Sequence, residues 1–167
     1  MTASNDAGWN PAFGFLAWLV TVALAAGLAT IASADAPELY AKLVKPEWAP
    51  PASIFGPAWT LLYVLMAVAA WLVWRDRGFA RAPLALCLFL VQLVANALWS
   101  WLFFAWRQGL LALVDIVVLA ALIVVTIVAF WRIRPFAGAL LLPYLAWVVY
   151  AAALNYRVWQ LNPDLLP

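Results

Sequence analysis

No histidine occurs in this sequence, and its one cysteine is Cys87. A lone thiol excludes an internal disulfide. Without histidine the chain lacks the commonest metal ligand and the commonest general base. A haem held through axial histidine, a zinc site and a Ser-His-Asp triad are excluded with it. Charge is equally scarce. Nine Lys and Arg and seven Asp and Glu make up 10% of 167 residues, against about 25% in an average soluble domain. So few charges cannot clothe a water-facing surface, and a net charge of +2 without basic clusters argues against a nucleic-acid partner.

What the chain does have is apolar length. It is 69% hydrophobic, with a mean hydropathy of +1.01 and twelve tryptophans. A helix needs roughly 20 mainly apolar residues to cross about 30 Å of hydrocarbon. Five runs qualify, at about 12–33, 54–74, 83–106, 110–131 and 136–156. Backbone in lipid must satisfy its own hydrogen bonds, so these runs predict helices; the alternating pattern of a membrane barrel is absent. The expected fold class is therefore an all-α membrane protein. One domain, residues 1–167, forms a bundle of five transmembrane helices with a structured first loop at 34–53.

The first run carries no basic segment before it and is too long for a cleavable signal peptide. Charges gather at the connections. Arg75, Arg77, Arg81, Arg132 and Arg134 fall on the N-terminal side of the membrane, and Lys42, Lys45, Arg107 and Arg157 on the other. By one residue the positive-inside rule places the N-terminus in the cytoplasm. The protein is expected to be integral and multi-pass, in a membrane the sequence does not specify. Trp48, Trp74, Trp106, Trp131 and Trp159 lie near span ends, where indole rings favour the interface.

Polar residues inside the spans are costly and each needs a reason. Gln92, Asn96 and Trp99 follow an i, i+4, i+7 spacing along one face of the third span, with Ser100 beside them. Tyr144, Trp147 and Ala151 repeat the pattern in the fifth, continued by Leu154 and Asn155. Trp59 and Tyr63 lie one turn apart in the second. Singly, such residues read as helix glue. Together the three stripes suit a pocket for a flat hydrophobic ligand, with tight aromatic packing of the bundle as the plainer alternative. Asp115, the one acid of the fourth span, has no buried base to relay protons with and reads as support for the interior. Neither an ion path nor a metal site is indicated.

The first loop is the least ordinary stretch. "KPEWAPPASIFGP" sets Pro46, Pro50, Pro51 and Pro57 around Trp48. These prolines fix φ and bias the preceding residues away from helix. A rigid aromatic cover over one bundle end is expected, with Trp48 directed to the membrane or to the bundle mouth.

The blocks "KPEWAPP", "FGPAWTLLY", "NALWSWLFF", "LVDIVVL" and "LPYLAWVVYAAALNYRVW" occur in order from about Tyr40 to Asn162. Together they resemble the TspO/MBR family of translocator and tryptophan-rich sensory proteins. The resemblance implies a five-helix bundle, often a homodimer, acting as a tetrapyrrole-binding sensor or transport protein. Its ligands would be porphyrins such as protoporphyrin IX or haem, with sterols such as cholesterol or lipids as further partners and no required cofactor. By the same resemblance, Trp59 and Trp147 stand where the family's porphyrin-reactive tryptophans lie. Tyr40, Asn96, Trp99 and Ala151 match pocket positions, and Asp115 matches the acid of the fourth helix. Light-dependent breakdown of protoporphyrin IX is the enzymatic alternative, and a non-binding helical scaffold the third. One departure concerns sterols: Arg157 directly follows Tyr156, and Gln160 stands where the vertebrate motif has a basic residue.

Overall fold

A computed structural model describes residues 11–167; residues 1–10 of the expected domain lie outside the description. Seven α-helices account for almost all of it: α1 (Pro11–Ala32), α2 (Ala36–Lys42), α3 (Phe55–Arg81), α4 (Pro83–Ser100), α5 (Gly109–Ile133), α6 (Pro135–Ala139) and α7 (Leu142–Leu161). Among the described residues there is no strand. Five spans are long and apolar enough to cross a membrane: Pro11–Ala32, Ala52–Arg81, Pro83–Ala105, Gly109–Ile133 and Pro135–Leu161. The protein is an all-α, multi-pass membrane bundle.

Local chemistry explains where these spans depart from the hydrophobic runs. The second run ends at Trp74, but α3 continues to Arg81, because Arg75, Asp76 and Arg77 extend the helix beyond the apolar layer. Near its end Gly78 adopts φ 65°, a left-handed conformation open to glycine at no steric cost. Ala82 then leaves the helix, as a residue before proline tends to, and Pro83 starts α4. The third span finishes in a π-helical turn, Trp101–Ala105, where the Trp106 N–H donates to the Trp101 carbonyl at 2.8 Å. The fifth run is two helices. Pro143 lies in the first turn of α7, cannot donate backward and crowds the preceding turn, so the ladder breaks at Leu140–Leu141.

Around the bundle the order is α3, α1, α4, α5, α7. The ring closes unevenly. Short α6 packs against α3, whereas α7 and α3 scarcely meet at the backbone level. Inside lie Met66, Ala67, Ala70, Val73, Leu86, Phe89 and Phe130, all fully buried, with Phe89 and Phe130 stacked at 5.8 Å. Leu24, Val94, Val117 and Val125 point outward, as expected where lipid replaces water. Trp48, Trp106 and Trp131 are half-exposed near span ends. Trp74 and Trp159 instead fold inward: each rests on a glycine, Gly14 and Gly109, where a Cβ would meet the indole ring.

Candidate functional site

The bundle interior holds its polar groups in pairs. The Tyr63 hydroxyl (α3) donates to Asn96 Oδ1 (α4) at 2.8 Å. Tyr144 (α7) donates to Gln92 Oε1 (α4) at 2.9 Å, and Gln92 Nε2 sits 4.0 Å from the Met66 sulfur. One turn toward the first loop, Trp99 Nε1 donates to Asn155 Oδ1 at 3.0 Å, and Asn155 Nδ2 donates to the Gly109 carbonyl. With no water to take over, each bond spares two groups the cost of burial unpaired. Gln92, Asn96 and Tyr144 are therefore locked to partners on neighbouring helices, and they and Asn155 are buried.

Where α3 and α7 stand apart, rings fill part of the seam. Tyr40 packs edge-on to Phe55 at 5.6 Å, Phe55 to Trp147 at 5.9 Å, and Trp147 lies 5.8 Å from Tyr150, which meets Trp48 at 5.7 Å. Trp59 leans on Tyr63 at 5.4 Å and on Tyr144 at 6.2 Å, packing against the interior pairs. Beside the row lies a groove of about 590 Å³, walled by Ile54, Ala58 and Leu62 on one side and Pro143, Ala146, Trp147 and Tyr150 on the other, with Pro50 above. No charged side chain lines it. Trp147 Nε1–H is buried and, among the described residues, has no hydrogen-bond partner.

The first loop roofs this end. After α2 the chain turns at Glu47–Trp48, where the Ala49 N–H donates to the Pro46 carbonyl at 3.0 Å, and passes Pro50 and Pro51 to a 3-10 turn, Ala52–Ile54. Asn162 holds it from the far end of the sequence: Val44 N–H donates to Oδ1 at 2.8 Å, while Nδ2 donates to the Val44 and Val158 carbonyls. Lys45 Nζ donates to the Tyr40 and Leu43 carbonyls and lies over the Tyr40 ring. Tyr40 donates to the Pro50 carbonyl at 2.7 Å, and Tyr150 to the Trp48 carbonyl at 3.1 Å. Partial burial pushes the Tyr40 phenol above its ordinary pKa, with the nearby Tyr150 phenol adding to the shift. Leu39 and Leu43 bury beneath the loop against Phe103, Val158 and Leu166.

The three predicted stripes thus separate into two layers. Tyr63, Gln92, Asn96 and Tyr144 form the bonded interior. Trp147, with Tyr40 and Trp48 reached through Phe55 and Tyr150, forms the row at the groove, and Trp59 packs with the interior on Tyr63 and Tyr144. Trp99 stacks on Phe103 and Ala151 is buried near it in the bundle. Asp115 is half-buried, and its Oδ2 has no hydrogen-bond partner among the described residues. Three residues escaped the sequence reading. Phe55 lies four before Trp59 and Tyr150 three after Trp147, so helical spacing could have found both. Asn162 is recognisable as a helix-end residue, but its partner at Val44 is 118 positions away.

A groove of about 590 Å³ lies within the range of about 300–1,000 Å³ typical of small-molecule sites. Its walls are mainly apolar, and the unpaired Trp147 Nε1–H lies buried behind them.

Comparison with known proteins agrees with this architecture. Residues 15–160 match the TspO/MBR family. The chain is 40% identical over 154 residues to the tryptophan-rich protein TspO of Chlorobaculum tepidum, covering 89% of this chain and 96% of that one. It is 37% identical over 159 residues to the translocator protein of Homo sapiens, covering 92% and 91%. Against the tryptophan-rich sensory protein of Cereibacter sphaeroides it is 38% identical over 125 residues, covering 75% and 77%. The chain belongs to the TspO/MBR family.

Proposed function

We propose that this TspO/MBR family protein binds a tetrapyrrole, protoporphyrin IX or haem, in the aromatic groove beneath its first loop, as a sensor or carrier. One observation carries the reading: the buried Nε1–H of Trp147 has no partner among the described residues and borders an uncharged groove. An unmet donor in an apolar surround is costly, and an acceptor oxygen on the ligand, such as a porphyrin carboxylate, would relieve it. Macrocycle faces would pack on Trp147 and on Phe55 and Tyr150 beside it. Tyr40 and Trp48 shape the roof, and Trp59 backs the row. Tyr63, Gln92, Asn96, Trp99, Tyr144, Ala151 and Asp115 hold the interior behind it. An apolar sterol is a competitor for the same walls.

The chain of rings favours a second reading. Trp147 lies 5.8 Å from Tyr150, and Trp59 lies 5.4 Å from Tyr63, so an excited porphyrin at the groove would face the oxidisable Trp147 and Tyr150, with the Trp59–Tyr63 pair in the interior. Light-dependent breakdown of bound protoporphyrin IX through Trp59 or Trp147, with dissolved dioxygen as the oxidant, is then a consequence of binding.

The test is a titration of the detergent-solubilised protein with protoporphyrin IX in the dark, read by tryptophan quenching. Saturable quenching at micromolar ligand, weakened by Trp147→Phe and unchanged by Trp106→Phe, whose half-exposed ring is not a wall of the groove, supports the groove. Linear quenching shared by all variants means partition into the micelle and leaves the chain a scaffold. Illumination afterwards separates the two binding readings: absorbance that decays only in light, and not in the Trp147→Phe or Trp59→Phe proteins, favours breakdown.

A further inference from the structure

A second groove, of about 600 Å³, opens at the other end of the bundle between α1 and the last turns of α3. Phe13, Ala17 and Trp18 form one wall, Trp74 and Phe79 the other, and Leu90 of α4 the floor. The one hydroxyl among its walls, on Thr21, already donates to the Ala17 carbonyl. Such a cleft fits a hydrocarbon chain and offers a polar headgroup nothing.

Its rim is different. Gly78, at φ 65°, breaks the helical path between Arg77 and Arg81, so both arginines belong to the segment that borders the groove. Five arginines collect at this end: Arg75, Arg77, Arg81, Arg132 and Arg134. Among the described residues the one acid there is Asp76. Asp76 is already engaged, receiving Arg134 at 2.9 Å and Arg75 at 3.4 Å, and Arg75 also lies over the Trp71 ring. Arg77 and Arg81 are exposed and make no ion pair among the described residues. A mainly apolar cleft lined by Gly78, Phe79 and Ala80, with exposed, unpaired Arg77 and Arg81 flanking those residues in the chain, complements a molecule with an apolar tail and an anionic head.

We propose that the groove between α1 and α3 holds an acyl chain of an anionic phospholipid whose phosphate lies on Arg77 and Arg81. The guanidinium fork matches phosphate oxygens, and interfacial dielectric strengthens the pairing over that in water. The lipid would wedge α1 against α3 at the end opposite the porphyrin groove, independent of whether that groove is filled.

The experiment uses the full chain in neutral detergent with dioleoyl phosphatidylglycerol and dioleoyl phosphatidylcholine as probes, lipid retention being read by native mass spectrometry. Phosphatidylglycerol should be retained about fivefold or more over phosphatidylcholine, about 1 kcal/mol of preference. The Arg77→Gln/Arg81→Gln double variant should lose that preference, while Arg107→Gln at the opposite end keeps it. Ala17→Leu, which narrows the cleft without touching charge, should lower retention of both lipids. Dibrominated phosphatidylglycerol should quench the wild type more than a Trp18→Phe protein. Equal retention of the two lipids, or a preference that survives removal of Arg77 and Arg81, overturns the proposal. So does retention unchanged in Ala17→Leu, which would place the chain elsewhere. Displacement by millimolar inorganic phosphate would make the arginines a free-anion site and likewise defeat it.

Discussion

The two grooves are nearly equal in volume, about 590 and 600 Å³, yet they are built on opposite plans. Beneath the first loop, backbone separation between α3 and α7 is bridged by rings and roofed by a segment that Asn162, Tyr40 and Tyr150 fasten in place. At the arginine end no roof exists among the described residues; a glycine break re-aims the chain, and guanidinium groups stand at the rim. The first plan fixes shape and leaves one donor for orientation. The second fixes charge and leaves shape to whatever enters. Specific small-molecule recognition needs the former, whereas association with bilayer lipid needs only the latter.

That contrast can be broken most severely at the roof. Asn162→Leu removes the bonds to Val44 N–H, Val44 C=O and Val158 C=O together, and should cost about 2–3 kcal/mol in apparent stability. A lowered melting temperature with new protease cleavage between Val44 and Pro51 would check it. Cleavage confined to the arginine end would mean the loop holds without Asn162. Next in size is Gly14→Ala, which drives a Cβ into the Trp74 ring and should cost about 1–3 kcal/mol by overpacking. Its melting temperature should fall while porphyrin affinity, set at the far end, stays the same.

Trp147→Phe keeps an aromatic wall but deletes the unmet N–H. It should weaken protoporphyrin IX binding roughly tenfold, or about 1.4 kcal/mol, with little loss of stability because no existing bond is broken. Equal affinity would show that the donor does not orient the ligand. The smallest effect belongs to Asp76→Asn. Its bridge to Arg134 is about one-third exposed, so the loss should stay below about 1 kcal/mol and shrink further in high salt. A larger, salt-insensitive loss would mean this end is held electrostatically after all.

Much of the architecture was legible because hydrocarbon imposes simple rules. Runs of apolar residues had to be helices, and Pro83 marked where one begins. Charged helix ends were harder to read. Arg75–Arg81 resemble a loop by composition, yet the helix carries on through Arg77 before Gly78 breaks its path, since a helix satisfies its own backbone in water as well as in lipid. The break in the fifth span was written in Pro143 but masked by continuous hydrophobicity.

For the candidate site, helical spacing grouped rings and amides that pair across helices in the bundle but treated each stripe as one surface. Tyr144 and Trp147 are three residues apart on α7, yet one is sealed against Gln92 and the other faces the seam. A stripe of i, i+3 neighbours spans enough of a helix to face two environments, and only the partner helices decide which residue meets which.

The sequence alone determined that this chain crosses a membrane five times, without histidine chemistry, and that the first loop is stiff. Each follows from composition or from local backbone restriction, which act without reference to distant residues. Tertiary structure decided that α6 closes on α3 while α7 stands away, that Val44 is clamped by Asn162, and that Arg134 reaches Asp76 across two connections. Those outcomes depend on how far apart two packed helices lie, and no pattern along a single strand of sequence encodes that distance.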